Sequence, residues 1–66
     1  MTAFLTQKLI RLPEVIERTG LSRSAIYDRI SHNQFPRQIN LGARAVAWEE
    51  RKIAEWIDTK IKESLH

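Results

Sequence analysis

Thr19-Gly20-Leu21-Ser22-Arg23-Ser24-Ala25-Ile26-Tyr27-Asp28-Arg29-Ile30 is the stretch that decides the fold. It reads as a helix end, a tight turn and a new helix. Gly20 stands where a helix C-terminus calls for a left-handed residue, a conformation glycine adopts without a Cβ penalty. Ser22 is placed to cap the next helix, its hydroxyl accepting from an otherwise unpaired N–H of the first turn. Ile26 and Ile30, four apart, give that helix an inner face, and Leu21 points the turn toward the same core. Ser24, Tyr27, Asp28 and Ser31 fall on or near the other face. Small, polar and aromatic groups outward on a short helix behind a glycine turn suggest a helix-turn-helix reading head.

Before this stretch, Pro13 predicts a helix start, because its missing N–H has no intrahelical partner there. Glu14 follows in the first turn, Val15 and Ile16 supply the buried face, and Leu12 closes over the start. This first helix is expected to end at Thr19. The segment from Met1 to Arg11, with Phe4 and Leu5, reads as a loose N-terminus whose last residues dock on the core.

After it, the second helix is expected to run from about Arg23 to His32. Asn33-Gln34 is a polar turn, Phe35 returns to the core, and Pro36 favours extended backbone before it. The hydrophobic period then changes to two. Ile39 and Leu41 alternate with Gln38 and Asn40, and Val46 and Trp48 alternate with Ala45 and Ala47. The reading is a β-hairpin with Ile39, Leu41, Val46 and Trp48 on its inner face. Arg37 stands at its base and Arg44 at its tip. Such a hairpin after a reading helix is the wing of a winged helix, reaching a phosphate or the minor groove. The last element is a helix from about Glu49 to Ser64. Ile53, Trp56, Ile57, Ile61 and Leu65 form its apolar stripe. That stripe either closes the core or, at its far end, projects past a small core as a dimer contact. The expected fold class is thus mainly α with a small β-hairpin: three helices and a two-stranded wing, in one domain over residues 1–66.

Charge supports the same reading. The 66 residues carry 11 basic and 8 acidic groups, a net charge of +3. Residues 1–45 hold seven cations against three acids, and six of those cations are arginine, which grips phosphate bidentately and reads guanine edges. The chain has no cysteine, so disulfides and thiolate metal sites are excluded. No apolar run approaches the roughly 20 residues of a membrane span, and no secretion signal opens the chain; a cytoplasmic protein without cofactors is expected. No nucleophile–base or paired-carboxylate arrangement points to an enzyme. Glu49-Glu50 complement a helix dipole instead.

The candidate DNA-binding residues are Arg23, Ser24, Tyr27, Asp28, Arg29, Arg37 and Arg44. Arg23, Ser24 and Tyr27 are expected to make contacts in the groove, and Arg37 and Arg44 to hold the backbone. Tyr27 reads equally as a half-buried ring packed on the hairpin. Asp28 is placed either to pair with Arg23 or Arg29 or to accept from a cytosine amine. Arg29 points partly toward the core, which suits a phosphate contact at the groove edge. Neutralising about four phosphates gives an expected salt slope near −3.6.

Arg11-Leu12-x-Glu14-Val15, Thr19 to Tyr27, Phe35-Pro36, Leu41-Gly42-x-Arg44-x-Val46-x-Trp48 and Trp56-Ile57 resemble the AlpA family of prophage regulatory proteins. The resemblance covers about residues 9–60. It implies a MerR-like winged helix-turn-helix, also found in small excisionases, that binds double-stranded DNA of a prophage or integrative element. It implies control of integrase or excision genes, with integrase or RNA polymerase as possible partners and a monomer or weak dimer on DNA. By position, Ser22 to Arg29 is the recognition helix and Arg37 to Trp48 the wing. The sequence departs from the family at Asp28, where a basic or neutral residue is usual, and at Ala25, where threonine is frequent. Two other roles use the same residues. An excisionase would bend attachment-site DNA and recruit integrase, whereas a protein-interaction module would leave the basic face merely solvated.

Overall fold

The computed structural model describes residues 7–65; Phe4 and Leu5 lie outside them. The chain runs β1 (Leu9–Ile10), α1 (Leu12–Thr19), α2 (Arg23–Ser31), β2 (Ile39–Gly42), β3 (Ala45–Glu49) and α3 (Glu50–Ser64). The fold is a winged helix-turn-helix of three helices and a three-stranded antiparallel sheet, ordered β1-β3-β2.

The turn between α1 and α2 is built as its residues dictate. Gly20 has φ 75°, in the left-handed region, and its N–H donates to the Ile16 carbonyl at 2.8 Å. Thr19 Oγ1 donates back to the Val15 carbonyl at 2.8 Å and accepts from the Leu21 N–H at 3.2 Å. Ser22 caps α2, its Oγ accepting from the Ala25 N–H at 3.1 Å. A Cβ on Gly20 meets no atom within 4 Å, so the constraint there is the backbone angle and not space. Gly20→Val is therefore expected to cost about 1–3 kcal/mol through strain at positive φ. Gly20→Asn should cost less, because asparagine tolerates that region. Urea unfolding of the two variants checks this; equal stability of valine and glycine would mean the turn does not hold its left-handed residue.

The buried cluster takes Ile10 from β1, Val15 from α1, Ile26 and Ile30 from α2, Phe35 from the following loop, Trp48 from β3 and Ile53 from α3. Both indoles pin that loop. Trp48 Nε1 donates to the Pro36 carbonyl at 3.0 Å, and Trp56 Nε1 to the Gln34 carbonyl at 2.9 Å. Phe35 stands edge-on to Trp56 with ring centroids 4.8 Å apart. The indoles thus bury their apolar area and still satisfy their one donor each.

Two features depart from the sequence expectation. The end of the N-terminal segment is a strand. Leu9 pairs with Glu49 and Ile10 with Trp48, and the Glu50 N–H donates to the Lys8 carbonyl at 2.8 Å, making β3 the central strand. The wing is also not evenly alternating. Ala43-Arg44 is the turn and Gly42 faces Ala45, but a bulge at Leu41 then slips the register, so Asn40 faces Val46 and Ile39 faces Ala47. Without the extra residue, Leu41 would face Val46 and Ile39 would face Trp48, the single inner face expected from alternation. A one-residue slip moves a strand's side chains to the other face. Val46 and Trp48 keep the core side with Ile10, Leu41 is exposed, and Ala47, expected outward, is fully buried beside Ile39.

Candidate nucleic-acid interface

The N-terminal half of α2 and the tip of the wing enclose an open cleft of about 310 Å³. Its walls are Arg23 and Tyr27 of α2, Arg44 and Val46 of the wing, and Arg11, Leu12 and Pro13 at the start of α1. Arg23 is the first residue of α2, directly after the Ser22 cap, and is exposed. Its guanidinium lies over the Tyr27 ring, 5.3 Å from the centroid. Tyr27 is half-buried, and its ring meets Trp48 edge-on at 6.3 Å. Tyr27 is thus packed on the hairpin and also lines the cleft. Arg44 is exposed at the two-residue turn.

Arg11 is the residue that sequence reasoning did not single out. Its Nε donates to the Val46 carbonyl at 2.8 Å, across 35 residues of chain, and its side chain lines the cleft. The signal was present, since Arg11 opens the first motif of the family resemblance, but its facing the wing depends on the β1–β3 pairing.

The remaining candidates lie apart. Ser24 is exposed on α2. Asp28 pairs with neither Arg23 nor Arg29. Its carboxylate lies 3.8 Å from His32 Nδ1, one turn on, and both side chains are exposed. Arg29 is half-buried, with Nη1 3.5 Å from the Ala25 carbonyl, in keeping with its partly inward direction. Arg37 does not join the cleft. It donates to Asn33 Oδ1 at 3.3 Å and lines a separate groove with Lys52, Trp56 and Lys60.

Four cations elsewhere on the chain are engaged by acids. Arg18 donates to Glu14 at 2.5 Å and Glu50 at 2.8 Å, and the Glu14 and then the Glu50 hydrogen bonds hold its guanidinium pKa above the usual range. Lys8 also reaches Glu50, Lys60 pairs with Glu63, and Lys62 pairs with Asp58. None of these acids lines the cleft. Among the described residues, Arg11, Arg23 and Arg44 have no ion pair to give up before meeting an anion. Their planar forks suit phosphate, and the Tyr27 ring between them offers a surface to a sugar or base.

A short helix presented behind a glycine turn, with an arginine-tipped hairpin beside it, defines the class: a winged helix-turn-helix protein. Comparison with known proteins narrows it. The chain belongs to the AlpA family; residues 8–61 match the family model described as prophage CP4-57 regulatory protein (AlpA). It is 36% identical over 61 residues to the DNA-binding transcriptional activator AlpA of Escherichia coli K12, covering 83% of this chain and 87% of that protein. It is 40% identical over 55 residues to the uncharacterized protein ORF88 of Enterobacteria phage P4, covering 83% of this chain but only 62% of the phage protein's length. Among the described residues, no helix is long and apolar enough to cross a membrane.

Proposed function

We propose that this chain is a non-enzymatic, sequence-specific binder of double-stranded DNA that regulates transcription in a prophage or integrative element, with integrase or excision genes as its targets. The observation that carries the reading is that Arg11, Arg23 and Arg44 line one cleft with Tyr27, between the reading helix and the wing tip. In this reading the N-terminal part of α2 enters the major groove. A helix of nine residues, about 14 Å long at 1.5 Å per residue, fits across it. Ser24 and Tyr27 read the groove. Arg23 and Arg11 flank it on the backbone, and Arg44 holds the next phosphate through the wing. Asp28, one turn further and beside His32, is left to accept from a cytosine amine. The transcriptional role is favoured over the excisionase role by the name of the Escherichia coli relative.

Three arginines on phosphates predict that log K falls with log salt at a slope of about −2.7, shallower than expected from sequence because Arg29 and Arg37 lie outside the cleft and only Arg11 joins it. Fluorescence anisotropy with duplexes from the promoters and attachment site of the chain's own element, at several salt concentrations, measures it. Salt-independent affinity, or no binding to any of these duplexes at low salt, would remove the reading.

A further inference from the structure

The end of α3 carries a feature that DNA binding does not use. Ile57 is half-buried against the core, but Ile61 is 53% exposed and Leu65 77% exposed. Spaced four apart, these residues form one stripe along the helix. Ala54, Ile57, Asp58 and Ile61, with Arg18 beside them, line an open groove that shares no residue with the arginine cleft. Along one edge of the stripe Asp58 and Lys62 form an ion pair at 2.9 Å, both well exposed. On the other side Lys60 is turned over the Trp56 ring, 5.5 Å from its centroid, and pairs with Glu63.

We infer that this stripe is the interface for a second copy of the same chain, with the two α3 helices antiparallel about a two-fold axis near position 60. The register of the stripe and of its charged edge fixes this arrangement. In a two-fold pair, if one residue meets a second, the second meets the first in return. With the axis at position 60, Asp58 of one copy falls opposite Lys62 of the other, and Lys62 opposite Asp58. The same register sets Ile57 opposite the gap between Ile61 and Leu65 of the second copy. It sets Ile61 opposite the gap between Ile57 and Ile61, so the side chains interlock as knobs in holes. One placement thus satisfies the apolar stripe and the charged edge together. Charge complementarity favours a second copy over an unrelated partner, because the edge carries both signs in an order that matches itself when reversed.

The stripe is short, so the pair buries less than the roughly 800 Å² per partner of a standard interface and associates weakly. It leaves both arginine clefts free, and its effect would be felt where two copies occupy neighbouring DNA sites. The inference does not depend on DNA binding and is tested without it.

Sedimentation of the DNA-free protein, at concentrations rising to about 1 mM, is the experiment, with circular dichroism confirming that each variant is folded. The wild type is expected to dimerise as concentration rises. Ile61→Glu should weaken association about tenfold or more, by placing like charges at the axis. Asp58→Lys and Lys62→Asp should each weaken it, and an equimolar mixture of the two should recover it as a heterodimer, since every pair across the interface is again opposite in sign. Loss of the Asp58–Lys62 pair within one helix cannot produce that recovery. A wild type that stays monomeric throughout overturns the inference, as do charge variants that associate unchanged or whose mixture fails to recover. An Ile61 environment altered by deleting residues 1–6 in a strictly monomeric protein would assign the groove to the N-terminal segment instead.

Discussion

Replacing Arg23 and Arg44 together by alanine is expected to lower DNA affinity about 100-fold or more at low salt, with the fold intact. Each arginine supplies charge-assisted hydrogen bonds worth about 1.5–3 kcal/mol, and 1.4 kcal/mol is tenfold in affinity. Two lost phosphate contacts also take about 1.8 off the salt slope, leaving about −0.9 from Arg11. Neither residue is in the core. Arg44 is exposed at the turn, and Arg23 is exposed apart from its place over Tyr27, an exposed cation–π contact worth about 0.5–1 kcal/mol. Thermal unfolding should therefore shift little. Lysine at both positions keeps the charge but not the fork, so the salt slope should survive while affinity falls part of the way. Anisotropy titrations of the three proteins separate these effects. Wild-type DNA affinity in the double alanine variant would mean that DNA is held elsewhere than at this cleft; biological function kept intact without DNA binding is what a protein-interaction module requires.

Trp48→Ala is expected to unfold a large fraction of the molecules. Trp48 is wholly buried in the central strand, paired with Ile10 and edge-on to Tyr27, and its indole N–H holds the Pro36 carbonyl. Truncating a buried tryptophan costs about 3–5 kcal/mol, and the loop carbonyl also loses its partner. At about 0.05–0.15 kcal/mol per residue, a 66-residue chain has only about 3–10 kcal/mol to lose. Trp48→Phe keeps most of the apolar area and removes the hydrogen bond, so it should stay folded with reduced stability. Urea titration followed by circular dichroism distinguishes the pair. A Trp48→Ala protein as stable as wild type would show that β3 is not what ties the wing to the helices. DNA binding should follow stability in this variant, because Tyr27 and Val46 lose the surface that positions them.

The parts of this fold legible in the sequence are those set by local chemistry. Gly20 ends α1 because φ must be positive there, Ser22 caps α2, and Ile26 and Ile30 face inward because four residues make one turn. Each depends on neighbours a few residues away. What escaped was set by partners far along the chain. β1 is two residues long and has no alternation of its own; it is a strand because Glu49 and Trp48 lie beside it. Arg11 reaches the wing for the same reason. The bulge at Leu41 has no mark in the pattern, since a bulged strand and a regular one alternate alike up to the extra residue. Arg37 was expected to grip DNA with the wing. Two indoles hold the loop before it, and it emerges beside Asn33 on the Trp56 side. Asp28 found His32, its neighbour one turn along the helix, and not an arginine. That α2 and the wing tip come together could therefore be read from sequence, but the place of Arg11 beside them could not.

Titrating isotope-labelled protein with a duplex that carries its site, and following the backbone amide and arginine side-chain signals, locates the binding face directly. The expected result is that signals of Ser22 to Asp28 and Gly42 to Val46 shift, together with the side chains of Arg11, Arg23 and Arg44, while Arg37 and the Trp56 groove stay in place. Shifts centred on Arg37, Lys52 and Lys60, with the Arg23–Arg44 cleft unmoved, would contradict the assignment of α2 and the wing tip as the DNA-binding surface.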